Sequence, residues 1–128
     1  MQLKSKLKNN VLTVGTWITL AHPAIAEIMS KRGFDWISID LEHSIITIRE
    51  AEELIRVIDL CGKTPLVRLS SNDPVQIKRV MDAGAGGIIL PMVQSLDDIN
   101  NWSERCMAVC SGKGAALVAD TMLEISTG

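Results

Sequence analysis

Neither sign of charge is in excess: 13 Lys and Arg stand against 15 Asp and Glu, a formal net charge of -2. So balanced a chain has no basic field with which to hold nucleic acid or an anionic membrane surface, and neither is expected as a partner. A small anionic metabolite is compatible with it. Cysteine is scarce and odd in number, and Cys61, Cys106 and Cys110 have no framework spacing, which argues against a secreted disulfide scaffold and suits a reducing cytosol. Cys106 and Cys110 lie four apart with no second Cys or His pair, so they read as buried apolar thiols rather than half of a metal site. No run approaches the ~18 apolar residues of a membrane span, and MQLKSKLKNN at the start leads into no apolar signal core. The expectation is a soluble, cytoplasmic protein.

Two further absences narrow the chemistry. The sequence has no glycine fingerprint for phosphate: AGAGG (83–87) and SGKG (111–114) both lie between a helix and a strand, where their amides cannot form a helix N-terminus facing an anion. They read as tight turns. Lysines fall in the N-terminal segment, before strands or on a helix, and none stands at the carboxyl end of a strand. The chain therefore offers no Schiff-base nucleophile.

What is present is a regular alternation. The 128 residues, 47% hydrophobic, suffice for one domain with a core. Apolar runs of strand length at 12–19, 36–40, 65–70, 86–93 and 115–119 are separated by four segments with helical spacing. The first helix opens at Pro23, carries Ile25, Ile28 and Met29 inward, and stops by Gly33. The second begins with a capping box, Thr47 and Glu50, buries Ala51, Leu54, Ile55 and Ile58, and ends at Gly62. Asp73, Pro74 and Gln76 start the third, with Ile77, Val80 and Met81 inward as far as Gly84. Ser95 and Asp98 start the fourth, with Ile99, Trp102, Cys106 and Val109 on its inner side. Helical crossovers between strands imply parallel pairing and an α/β layer structure. An open doubly wound sheet and the first part of an eight-stranded barrel, which takes about 250 residues, both fit.

Parallel α/β folds carry their working residues at the carboxyl ends of the strands. That rule collects Trp17 from the first strand, Asp40, Glu42 and His43 from DLEHS (40–44) after the second, Arg68 from the third, and Pro91 with Met92 from the fourth. Histidine, with an ordinary pKa of ~6.5, exchanges protons near neutrality, and a neighbouring carboxylate raises its basicity and fixes its tautomer. His43 has two such neighbours in sequence, Asp40 and Glu42. An arginine at a strand end needs a carboxylate or a developing oxyanion for its fork, so Arg68 reads either as an ion pair with Glu42 or as an oxyanion-stabilising group. His22, just before Pro23, reads as a cap or loop residue.

The stretches GTW (15–17), AEIMSKRGFDWISIDLEHS (26–44), PLVR (65–68) and IKRVMDAGAGGIILPMV (77–93), in that order and spacing, resemble the HpcH/HpaI aldolase family over roughly residues 12–98. The resemblance implies that 1–128 is a partial TIM-barrel domain, the first half of a (β/α)8 barrel. It implies cleavage or formation of 4-hydroxy-2-oxo acids, with pyruvate or a similar 2-oxo acid as one half, an aldehyde as the other, and a homo-oligomeric state. A divalent ion, Mg or Mn, is expected to hold the 2-oxo acid, its ligands lying on later strands and none within this chain. By the same resemblance His43 is the base, Arg68 stabilises the enolate, Asp82 raises the basicity of His43, and Trp17 lines the pocket; Glu42, next to His43, is taken as a further substrate-binding residue. Asp82, near the end of the third helix, belongs to the opposite end of the layer from His43, so it would have to come from a neighbouring subunit; Asp40 is the rival partner within the chain. From about residue 99 the family's R-Y-P-P-x-G-x-R-G pattern gives way to CMAVCSGKGAALVADTMLEISTG, as a truncated gene, a shifted reading frame or a divergent tail would each produce. The other expectation is therefore a half-barrel fragment without catalytic competence that associates with itself through its sheet edges.

Overall fold

The computed structural model describes residues 3–95, 97–98 and 100 and, as backbone, 116–119. The elements run α1 (Leu3–Lys8), β1 (Gly15–Ile18), α2 (Pro23–Ser30), β2 (Trp36–Asp40), α3 (Ile48–Leu60), β3 (Thr64–Arg68), α4 (Pro74–Asp82), β4 (Gly87–Leu90) and β5 (Ala116–Ala119). The five strands form one sheet in the order β1-β2-β3-β4-β5. Every neighbouring pair is parallel. This is the α/β layer structure that the alternation requires, built from βα units of the barrel type. No helix among the described residues is long and apolar enough to cross a membrane.

Local chemistry sets the helix starts. His22 caps α2, its Nδ1 accepting the Ala24 N–H at 3.1 Å, and Pro23 occupies the first turn where a missing N–H costs nothing. Thr47 and Glu50 complete their capping box, with Glu50 accepting from the Thr47 N–H at 2.7 Å and Thr47 Oγ1 from the Glu50 N–H at 3.3 Å. Asp73 caps α4 by accepting from the Val75 N–H at 3.0 Å. Gln76 does not join that cap; it bonds Ser70 instead, accepting from its N–H at 2.9 Å and donating to its Oγ at 2.8 Å, which ties α4 to the end of β3. Gly62 and Gly84 follow α3 and α4 with φ of 75° and 103°, the left-handed backbone that glycine adopts without strain. Ser95 and Asp98 exchange main-chain to side-chain hydrogen bonds at 3.0 and 3.1 Å, as a helix start should. Ile99, Trp102, Cys106 and Val109 lie outside the described residues, as does Cys110.

The sheet divides the core in two. Side chains alternate along a strand, so Ile18, Ile37, Ile39, Val67, Ile88 and Leu90 face the helices and pack on Ala26, Leu54, Ile55, Ile58, Ile77 and Val80. Each such aliphatic side chain taken fully from water contributes about 1.5–3 kcal/mol. On the other face a smaller cluster joins Leu66 and Ile89 to Leu3, with Trp36 against it. Leu3 belongs to α1, an element that the N-terminal charge pattern does not announce. A lysine–carboxylate hydrogen bond from Lys6 to Asp35 holds that helix to the chain just before β2.

Several strand ends differ from the apolar runs, β3 among them at Thr64–Arg68 rather than 65–70, and one helix face differs as well. The first strand starts at Gly15 rather than 12, and Leu12 and Val14 remain exposed, because the described ladder pairs only Gly15 to Ile18 with β2. β4 ends at Leu90: Pro91 has no N–H to donate to the ladder, and Met92 turns the chain with φ of 53°. Ile28 faces solvent, while Ala26 and Ser30 are the buried residues of α2.

Candidate active site

The site lies on the face of the sheet opposite the helices, at the carboxyl ends of β1, β2 and β3. Asp40 is the last residue of β2 and stands in register with Arg68, the last of β3. Equal parity sends both side chains to one face. There Arg68 Nε donates to Asp40 Oδ1 at 3.1 Å and Arg68 Nη2 to Asp40 Oδ2 at 2.6 Å, a two-pronged pair in which planar guanidinium meets planar carboxylate.

Asp40 also organises the loop that follows. Its Oδ1 accepts the N–H groups of Glu42 at 2.9 Å and His43 at 3.0 Å, and its carbonyl accepts from the Ser44 hydroxyl, which in turn accepts the Ile46 N–H at 3.1 Å. Four hydrogen bonds thus converge on a carboxylate that is only 3% exposed, the condition under which a charge can be buried. Burial pushes the Asp40 carboxyl up, but the Arg68 hydrogen bonds, and then the amides of His43 and Glu42, outweigh it and hold the group below its ordinary value. Asp40 is therefore an anion at neutral pH.

The loop wrapped round Asp40 places the next two side chains. Glu42 Oε2 lies 3.5 Å from Arg68 Nε and 3.6 Å from His43 Nε2, so one carboxylate oxygen stands between the guanidinium and the imidazole. At 3.6 Å the imidazole contact is charge proximity, not a hydrogen bond. The His43 side chain is 66% exposed, and Glu42 is half-buried behind it. Asp40 meets His43 through the main-chain N–H; the carboxylate beside the imidazole is Glu42.

Trp17 completes the rim from β1. The Arg68 guanidinium carbon sits over its ring, 4.3 Å from the centroid, close enough for a cation–π attraction. Arg68 is thus gripped in its plane by Asp40 and on its face by Trp17. Sequence reading anticipated each residue as part of the rim but not this stacking, nor Trp36 behind Trp17. The pattern that encodes them is the two-residue parity shared by Trp36, Ser38 and Asp40 with Gly15 and Trp17 across the register.

Asp82 is not brought to this group. It closes α4, which runs back from the carboxyl end of β3 to the start of β4, so it is exposed at the far end of the layer from His43. Among the described residues no group of three His, Cys, Asp or Glu side chains is placed to hold a metal ion. Asp40 in particular has its oxygens committed to Arg68 and two amides. The described residues alone do not fit a metal centre.

Comparison with known proteins identifies the lineage. The HpcH/HpaI aldolase/citrate lyase family profile matches residues 13–124. The chain belongs to this family. Among HpcH/HpaI relatives, it is 35% identical over 91 residues to the 2-dehydro-3,6-dideoxy-6-sulfogluconate aldolase of Pseudomonas putida, covering 71% of this chain and 36% of that protein. It is 39% identical over 98 residues to the 4-hydroxy-2-oxo-heptane-1,7-dioate aldolase of Salmonella dublin, covering 77% of this chain and 37% of that one. The crystal structure of an HpcH/HpaI aldolase from Desulfitobacterium hafniense DCB-2 superposes with a TM-score of 0.73 at 27% identity, over 91% of this chain and 56% of that one. The chain thus spans little more than a third of the length of the curated relatives it matches, and its βα units correspond to part of an HpcH/HpaI barrel.

Proposed function

We propose that the chain carries the base and the enolate-stabilising half of a carbon–carbon lyase site acting on 4-hydroxy-2-oxo acids, with pyruvate or a similar 2-oxo acid and an aldehyde as the two halves. The observation that supports this most is the Glu42 oxygen standing 3.5 Å from the Arg68 guanidinium and 3.6 Å from the His43 imidazole, which puts a proton acceptor and a fixed positive charge on one rim. In the condensing direction His43 takes a proton from the methyl carbon of the 2-oxo acid, leaving the electron pair as an enolate. The positive charge of Arg68, kept in place by Asp40 and Trp17, offsets the charge that develops on the enolate oxygen. Glu42 stands beside the His43 imidazole, 3.6 Å from its Nε2. Trp17 supplies an apolar wall. A divalent ion, Mg or Mn, belongs to this reading through the family; bound, it would act as the Lewis acid on the 2-oxo acid. Its ligands would come from outside the described residues. Asp82 enters only as a contribution from a neighbouring subunit of a homo-oligomer.

A second reading is a catalytically incompetent half-barrel that self-associates, and the sheet order favours it, since β1 and β5 stand at the two edges among the described strands. One experiment separates the two. The purified chain is incubated in deuterium oxide with pyruvate and Mg2+ or Mn2+, and loss of the methyl proton signal is followed. Exchange that needs the metal and disappears in His43→Ala supports the lyase; no exchange at any metal concentration, with self-association by sedimentation, supports the half-barrel.

A further inference from the structure

Behind the rim the same face of the sheet carries a second indole. Trp36, the first residue of β2, is in register with Gly15 and lies four residues, two same-face positions, before Asp40. Its ring meets that of Trp17 edge to face, with centroids 6.2 Å apart and planes at 87°. The indole lies across Gly15 so closely that a Cβ built there would stand 2.0 Å from Trp36 Cδ2 and 2.1 Å from Cε2. Below, Trp36 packs on Leu3, Leu66 and Ile89. A column therefore runs from the apolar cluster through Trp36 and Trp17 to the Arg68 guanidinium.

We propose that Trp36 is a positioning residue, seated by the bare backbone of Gly15, that sets where Trp17 stands and through it the face of the Arg68 guanidinium. Asp40 holds the guanidinium by its edge, and the Trp17 ring lies against its face. Trp36 holds the ring. The consequence for catalysis rests on the lyase reading given above, whereas the coupling between Trp36 and Arg68 does not.

The test reads Arg68 directly. In the full 128-residue chain, labelled with 15N, the Nε–Hε resonance of Arg68 should be displaced upfield by the ring current of Trp17, with Trp17→Leu giving the undisplaced position. Gly15→Ala and Trp36→Leu should each move the resonance toward that position, and Trp36→Phe should keep it near the wild-type one. Gly15 has no positive φ, so Gly15→Ala acts through the displaced indole and not through backbone strain. A merely structural Trp36 would lower the denaturation midpoint in these variants and leave the resonance of the folded protein where it was, which would overturn the proposal. Should Trp36→Leu fail to fold, an unmoved resonance in Gly15→Ala overturns it equally. In the pyruvate exchange assay Gly15→Ala should lower the rate at saturation about two- to fivefold with little change in the KM for pyruvate, the size expected for losing one cation–π contact beside a charge that develops in the transition state. Absence of exchange in the wild type would remove the lyase reading and leave the resonance shift to decide the positioning role by itself.

Discussion

The guanidinium of Arg68 donates two short hydrogen bonds, 2.6 and 3.1 Å, to one carboxylate, that of Asp40 in register on the neighbouring strand. The pair joins the ends of two central strands, and the loop bearing Glu42 and His43 hangs from the same carboxylate. The integrity of the rim depends on it.

Asp40→Ala should therefore be costly beyond the lost contact. It takes two short hydrogen bonds from a largely buried guanidinium and the acceptor from two main-chain amides. Breaking a buried pair from one side costs about 3–5 kcal/mol, and the lower end applies because Arg68 keeps some exposure. Urea denaturation should show a correspondingly lower midpoint at an unchanged slope.

Acid should act through the same group. The Asp40 carboxyl is held below its unfolded value, so its contribution is complete above the unfolded pKa of ~3.9 and is lost as pH falls through the lower, folded value. Asp35, held down by the Lys6 hydrogen bond and then by the Val14 amide, titrates in the same sense. Stability measured by denaturant from pH 6 downward should stay level to about pH 4 and then fall. Asp40→Asn should flatten that fall, while a profile that keeps its full acid slope in this variant would assign the dependence to other groups.

Ser38 offers the opposite case. It lies on the site face between Trp17 and Leu66 in register, fully buried, and its hydroxyl has no hydrogen-bond partner among the described residues. An unsatisfied buried hydroxyl costs about 1–3 kcal/mol, so Ser38→Ala should be neutral or stabilising by about 1 kcal/mol. A fall in the denaturation midpoint would instead show that the hydroxyl has a partner in solution.

How much of this was legible beforehand follows from range. WISID read as a strand over 36–40, and β2 occupies those residues, since an apolar run bounded by turn residues is a local property. Thr47 with Glu50, and Asp73 before Pro74, announced α3 and α4 because capping acts within four residues. Gathering Trp17, Glu42, His43 and Arg68 on one rim needed only the rule that parallel strands end on one side. Helix α1 was missed because a segment of alternating lysines has no apolar period; what holds it is Leu3 on the site face and Lys6 on Asp35, partners distant in sequence.

By itself, then, the sequence determined the alternation of strands and helices, the helix starts, and which ionisable residues share an end of the sheet, because each depends on spacing along the chain. Only the tertiary structure decided the partners: Arg68 to Asp40 as well as Glu42, the imidazole of His43 to Glu42, Trp17 under Arg68, and Asp82 away from them all. Strand register chooses among carboxylates that stand at nearly equal distances in sequence, and register is set by how the two apolar faces of the sheet fill, which no local pattern records.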